Sequence, residues 1–514
     1  MSMLKSLPVL AATFLVLMLM MPAFAESNEG KILKVTMIFD PGSTLDPAYK
    51  YTGWYVREAG IYETLFAYDK DMNLIPELAS GYSQINDTAY TIHLRKDVKF
   101  HDGTPFNADS VVYSLGRVLD PSNTRHNEYS FIKSVTKSDD NNVIITTKEP
   151  YSPTIASLSD PLISMVKPGI DFNKTAIGTG PFMFDSYEKS VKLTVKKNEN
   201  YWGGMPKLDG AVINYVSDPT TRALQIEGKE SQIVLSMPPS EVKTINADSD
   251  LQVINKNTLR TYFMYVNMRK GPLDNLKIRQ ALNYAINRQE IVDSALEGIG
   301  GTPAKGVFPS VSSWSANDEL KGYEFDQAKA KELLKEAGIY DTNGDGKLRY
   351  SNGDPFSITI KTYTSRPELK PTAELVAAHL QAIGIQTKVV TEESGALSAD
   401  LKNGNYDLAL YAWNTLPTGD PDYFVSKHFK TGGSDASLTG YSNSQVDSWI
   451  ENGRETFDID QRKDYYTKIQ EQVLEDSPEI NLFYLNMLIG ENKAVEGFEI
   501  YPNEYTFMTK DISL

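Results

Sequence analysis

"FSITIKTYTSRPELKPTAELVAAHLQAIGIQTKVV", residues 356–390, decides the fold class. "FSITIKTY" is rich in β-branched and aromatic residues and reads as a strand. In "PTAELVAAHLQAIG" the apolar residues Leu375, Leu380 and Ile383 recur at helical spacing, and "IQTKVV" returns to a strand pattern. Strand, helix and strand in this order predict a parallel βαβ unit, and "YDLALYAW" further on supplies another strand. The fold class is α/β with a largely parallel sheet.

Working outward, "KILKVTMIF" at residues 31–39 reads as a buried strand. The loop "DPGSTLDPAYKYTGWY" leads from it into a helix expected around residues 56–65. "DNLKIRQALNYAI" places Ile278, Leu282, Ala285 and Ile286 on one helical face. Asn287 with Glu290 predicts a cap for the helix that follows, and Asp326 and Gly338 bracket another helix in "DQAKAKELLKEAG".

The densest cluster of chemistry-bearing residues is "LRKDVKFHDGTPFNADSV", residues 94–111. "TAYTIHLRKDVKF" alternates Tyr90, Ile92 and Leu94 with polar residues, so His93 faces outward. Asp-Gly at 102–103 marks a turn, and Asn107 caps a helix carrying Val111, Val112 and Leu115. Asp109 falls in the first helical turn, where an acid is favoured. The stretch reads as strand, turn and capped helix rather than as an active site.

Of 514 residues, 51 are basic and 67 acidic, a net charge of −16 with no basic run, which argues against a nucleic-acid partner. The hydrophobic fraction of 41% marks a globular chain with length for several cores. The absence of cysteine excludes a thiolate nucleophile, a disulfide frame and a lipid-bearing cysteine. Residues 1–25 have a basic start, an apolar run and the small-x-small ending Ala23-Phe24-Ala25, as an exported chain's signal peptide does. Cleavage after Ala25 would give a periplasmic or cell-surface protein; retention would leave it membrane-anchored.

Ligands of open parallel sheets sit beyond the carboxyl ends of the strands. That rule selects Tyr51, Trp54 and Tyr55 after the first strand and Arg366 after "FSITIKTY". After "YDLALYAW" it selects Trp413 and the loop "NTLPTGDPDYF" with Asp420. Aromatic residues with one or two charges suit a small-ligand cleft. "DTNGDGKL", residues 341–348, begins like a calcium loop, but its twelfth position is Asn352, which favours a polar turn. The five histidines form no metal-binding pair, and neither a nucleophile elbow nor a P-loop occurs, so no cofactor is expected. His379 falls near the apolar stripe of its helix and reads as a packed histidine. Asp420 and Asp422, two residues apart on one loop, are the feature that speaks for a secreted hydrolase of glycosidase type.

Taken together, several stretches resemble the family 5 extracellular solute-binding proteins, the peptide and nickel receptors of ATP-binding-cassette importers. They include residues 61–115, from "IYETLFAYDKDMNLIPELASG" through "HDGTPFNADSVVYSL". "IGTGPF", "KNENYWGGMPKLDGAVINYVSDPTTRALQIEGK", "KIRQALNYAINRQEIV" and "GDPDYF" follow in order. The resemblance implies a two-lobed periplasmic-binding-protein-like fold of type II, with hinge strands near residues 262–267 and 481–486. It implies a first lobe of residues 26–66, 188–264 and 487–514 carrying an extra subdomain at 67–187, and a second lobe at 265–486. It also implies a monomer, without catalysis, that captures a peptide or a nickel chelate and docks on a membrane permease. A surface-anchored sensor is the third reading.

Departures from the family bear on the ligand. Peptide-binding members pair the α-ammonium with an aspartate where this chain has Leu416, leaving Asp420 as the substitute. Nickel-chelate members carry a histidine where this chain has Asp422, and one uses arginines near the place of Arg125 for chelate carboxylates.

Overall fold

The computed structural model describes residues 30–269 and 271–514; the expected signal peptide lies outside the described residues. One large sheet organises the chain. Its principal strands are β1 (Ile32–Met37), β2 (Phe182–Glu188), β3 (Lys192–Lys197), β4 (Gly210–Tyr215) and β5 (Ile233–Val234). The second half of the chain adds β6 (Leu251–Val266), β7 (Ser357–Tyr363), β8 (Gln386–Glu392), β9 (Leu408–Asn414) and β10 (Glu479–Asn492). Their order across the sheet is β8-β7-β9-β6-β10-β5-β1-β4-β3-β2.

The sheet is mixed, which corrects the expectation of a largely parallel one. Strands β8, β7 and β9 form one parallel block and β5, β1 and β4 another. Between them β6 runs antiparallel to both β9 and β10. These two long strands belong to both halves: residues 251–257 of β6 pair with 486–492 of β10, and after a register break the stretch from Thr261 pairs with 479–484. Apolar packing divides in the same way. One buried cluster surrounds Phe263, Ile360, Val376 and Leu410, and another surrounds Val35, Phe182, Ile213 and Ile489. The molecule is two-lobed because each half of the sheet buries its own core.

The predicted βαβ unit forms. Helix Leu369–Ala382 buries Leu369, Ala373, Val376 and Leu380 at helical spacing and joins β7 to its parallel neighbour β8. Full burial of each such large aliphatic side chain contributes about 1.5–3 kcal/mol. The predicted helix around residues 56–65 is instead Thr52–Glu58, because Gly60 takes φ +72° and the chain then runs extended past Ile61.

A separate four-stranded antiparallel sheet contains Ala79–Asn86, Ala89–Leu94, Asn142–Thr147 and Ile132–Asp139 in that order. It packs on helix Ala108–Leu119, burying Ile92, Val111, Leu115 and Ile145 together. The expected end of this subdomain at residue 187 falls inside β2, which hydrogen-bonds to β3 in the large sheet.

The stretch at residues 94–111 is frame. Asn107 accepts from the Ser110 amide at 3.3 Å and caps its helix, and Asp109 pairs with Lys137 at 2.8 Å. His101 bridges to the "IGTGPF" segment, with Nε2 3.1 Å from the Gly180 carbonyl and Nδ1 accepting from the Gly178 amide at 3.3 Å. Burial lowers its pKa to about 4, so the bridge is made by a neutral ring. His93 lies between Ser83 and Asn142.

Gly178 explains why its segment carries glycine. A Cβ there would stand 2.1 Å from the Ile61 carbonyl oxygen and 2.6 Å from the Tyr62 ring. Gly178→Ala is expected to lower the unfolding free energy by about 1–3 kcal/mol, as overpacking does, measured by urea denaturation.

The "DTNGDGKL" stretch is a closed polar turn. Asp341 accepts amide hydrogens from Asn343, Gly344 and Gly346, and Asp345 pairs with Arg349 at 2.6 Å. Among the described residues no three acidic or histidine side chains are grouped to hold a metal.

Candidate functional site

The helix Thr52–Glu58 and the carboxyl ends of β1, β7 and β9 converge on one cleft. Tyr51 precedes the helix, Trp54 and Tyr55 lie on it, Arg366 follows β7, and Trp413 ends β9. Two cavities of about 340 and 550 Å³ open on either side of a wall made by Tyr51 and Trp413, which line both. Trp54, Tyr55 and Arg366 line the smaller cavity, Arg125 and Asp420 the larger. All seven residues selected from the sequence therefore face this double cleft, whose size suits a small ligand.

The two cavities differ in charge. In the smaller, Arg260 and Glu504 neutralise each other at 2.8 Å. Arg366 has no carboxylate within ion-pair distance among the described residues; its guanidinium lies 5.3 Å from the Phe39 ring centre. Glu58 is likewise without an ion pair or side-chain hydrogen bond there. Burial pushes the Glu58 carboxyl well above its ordinary range, and the Glu504 charge adds to this against the opposing pull of Arg260. The Tyr55 hydroxyl is raised to about 12, first by burial and then by Glu58, while Arg366 pulls the other way.

In the larger cavity, Arg125 donates through Nε to Glu128 at 2.6 Å and lies 4.9 Å from the Tyr51 ring centre. Its Nη2 donates to the Tyr423 hydroxyl at 3.2 Å, and its buried Nη1 has no partner. Lys427 also pairs with Glu128, at 2.8 Å. Burial alone would raise the Glu128 pKa, but the two cations bring it down to about 2. Arg125 also lies 3.9 Å from Asp160, so Arg125 and Lys427 face two carboxylates, Glu128 and Asp160, at this end.

Asp420 reaches the cleft wall with both oxygens occupied. Arg462 donates to them at 2.8 and 2.9 Å, and the Asp422 amide donates at 3.0 Å. The expected substitute for the missing ammonium partner is thus already committed to an internal pair, and Leu416 is packed in the core. Asp422 is held by Arg454 at 2.7 Å, Tyr151 at 2.7 Å and Ser426 at 2.6 Å, and its pKa is lowered: burial opposes this, but Arg454 and the hydrogen bonds prevail. Neither acid is free to act as the carboxylate of a hydrolase.

No histidine lines either cavity. His379 is packed against Phe325 and bonded to Glu290, as its place near the apolar stripe suggests. His428 is buried beneath Trp413 and bonded to Glu479 at 2.6 Å. Glu58 and Lys427 were missed from the sequence. A signal for Glu58 was present, since it follows Trp54 by four residues and so shares its helical face.

The sequence profile of the bacterial extracellular solute-binding proteins, family 5 (middle region), matches residues 73–436. A glutathione-binding protein, GsiB, of Pectobacterium atrosepticum is 30% identical over 471 residues, which is 88% of each chain. This chain belongs to the family 5 extracellular solute-binding proteins. Solved structures of similar fold include the binding protein DppA of Helicobacter pylori with the peptide STSA, 25% identical with a TM-score of 0.79. That match covers 94% of this chain and 98% of the other. NikA of Staphylococcus aureus with Ni(L-His)2 is 24% identical with a TM-score of 0.81, covering 94% and 100%.

As a family 5 solute-binding protein, the chain is the receptor of an ATP-binding-cassette importer and acts by binding rather than catalysis. Members of the family are extracellular or periplasmic.

Proposed function

We propose that this receptor captures a short peptide with carboxylates at both ends, of the glutathione class, and passes it to a membrane permease. The single observation behind the reading is Arg366, a cation in an aromatic-lined cavity with no carboxylate partner of its own. A buried guanidinium outside any ion pair among the described residues, with Glu504 and Glu368 nearby but not bonded to it, can hold a carboxylate ligand by charge-assisted hydrogen bonds. The unpartnered Nη1 of Arg125 offers a second hydrogen-bond donor to the ligand across the Tyr51–Trp413 wall, although the Arg125 charge is already met by Glu128 and Asp160. Tyr51, Trp54, Tyr55 and Trp413 supply apolar contact between the two arginines. The relative named as glutathione-binding lends support to this ligand class.

In this reading the lobes close about β6 and β10, a hinge motion, with residues 67–187 as an appendage of the first lobe. In the same reading the chain works as an exported protein after loss of residues 1–25.

A thermal-shift panel on refolded, ligand-stripped protein tests the reading. Ligand at a hundred times its dissociation constant adds about 2.7 kcal/mol of stability. Glutathione and short acidic peptides are expected to stabilise the chain. Stabilisation by nickel with histidine alone would replace this reading with the chelate one.

A further inference from the structure

We propose that the smaller cavity recognises a free amino-acid head, its α-ammonium on Glu58 and its α-carboxylate on Arg366, and so selects γ-glutamyl peptides over α-linked ones. The inference rests on the peptide reading above and goes further by fixing which end of the ligand lies where.

The argument is one of charge left over. Four charged side chains line this cavity: Arg260, Glu504, Arg366 and Glu58. Arg260 and Glu504 cancel. One cation and one carboxyl group remain, both without an ion-pair partner among the described residues, which is the complement of a zwitterion. The two act on a common neighbour, since the Tyr55 hydroxyl feels Glu58 and Arg366 in opposite senses. Around Glu58 stand the Glu504–Arg260 pair and the hydroxyls of Tyr55 and Tyr215, none of which supplies a free cation. Glu58 is also the last residue of its helix, where ionisation would set a negative charge against the carbonyl end of the dipole. An ammonium arriving there relieves both costs.

Peptide chemistry then discriminates. In an ordinary peptide the α-carboxyl of the first residue is consumed in the peptide bond, so its amino end offers an ammonium alone. In a γ-glutamyl peptide the ammonium and a free carboxylate sit on the same carbon. Such a head fills both seats, and the remaining chain passes the Tyr51–Trp413 wall with its terminal carboxylate toward Arg125 and Lys427.

A proton is linked to the event. In the free protein the raised Glu58 carboxyl retains its proton above the ordinary carboxylate range. Pairing with an ammonium requires the carboxylate, so binding releases a proton. Affinity therefore climbs with pH from the ordinary carboxylate range up through the raised Glu58 pKa.

Calorimetric titrations with glutathione, its α-glutamyl isomer and N-acetylglutathione test this, in two buffers of different ionisation enthalpy. The wild type is expected to hold glutathione about tenfold or more tighter than either analogue, as loss of a buried charge partner implies. Glu58→Gln should bring glutathione down to the level of N-acetylglutathione and abolish the proton release. Equal affinity for the α and γ isomers, or unchanged glutathione affinity in Glu58→Gln, overturns the inference while leaving the peptide reading intact. Failure of the wild type to bind all three removes the peptide reading and the inference with it. If Glu58→Gln does not fold, the three-ligand comparison on the wild type decides.

Discussion

Arg366→Gln is expected to weaken binding of a carboxylate ligand by about 2–3 kcal/mol, roughly thirty- to a hundred-and-fiftyfold, while barely changing the stability of the empty protein. The asymmetry follows from its surroundings. Arg366 packs against the Phe39 ring and makes no ion pair among the described residues, so removal of its charge leaves no directly paired carboxylate stranded. The bound ligand would lose its counter-charge in a cavity walled by tyrosine and tryptophan, where water compensates poorly. Titration calorimetry measures the affinity, and urea denaturation of the ligand-free variant measures the stability. A large loss of stability with unchanged affinity would make Arg366 a structural residue.

The second large effect runs in the opposite direction. Arg462 and Asp420 form a two-pronged pair with both side chains about 6% exposed. Removal of either partner strands a buried charge, a cost of about 3–5 kcal/mol. Arg462→Met and Asp420→Ala are each expected to lose that much in urea denaturation. Combined replacement of both by apolar residues should recover most of the loss, because no charge is then stranded. Ligand affinity of the folded single variants should change little. Were Asp420→Asn to abolish binding at unchanged stability, the ammonium role first assigned to Asp420 would be restored.

These two arginines mark where sequence reading works and where it stops. Arg366 was accessible because a local rule applies: a loop after the carboxyl end of a strand faces the cleft. The same rule selected Tyr51, Trp54, Tyr55 and Trp413, which line the same cavity. Helix caps at Asn107, Asn287 and Asp326 were readable because a cap and its amide lie within three residues of each other. Arg462 lies 42 residues from Asp420 in the chain, so no local pattern warned that the carboxylate was already taken. The mixed character of the sheet has the same origin. β6 and β10 pair across more than 200 residues, and periodicity predicts a strand without naming its neighbour. Glu58 escaped because the helix was placed around residues 56–65, which moved it off the face of Trp54.

The most direct measurement is a calorimetric titration of the refolded, ligand-stripped protein with glutathione. The account predicts saturable binding of one molecule per chain, weakened strongly by Arg366→Gln. No heat and no saturation with glutathione or any short peptide, together with tight binding of nickel–histidine, would contradict it.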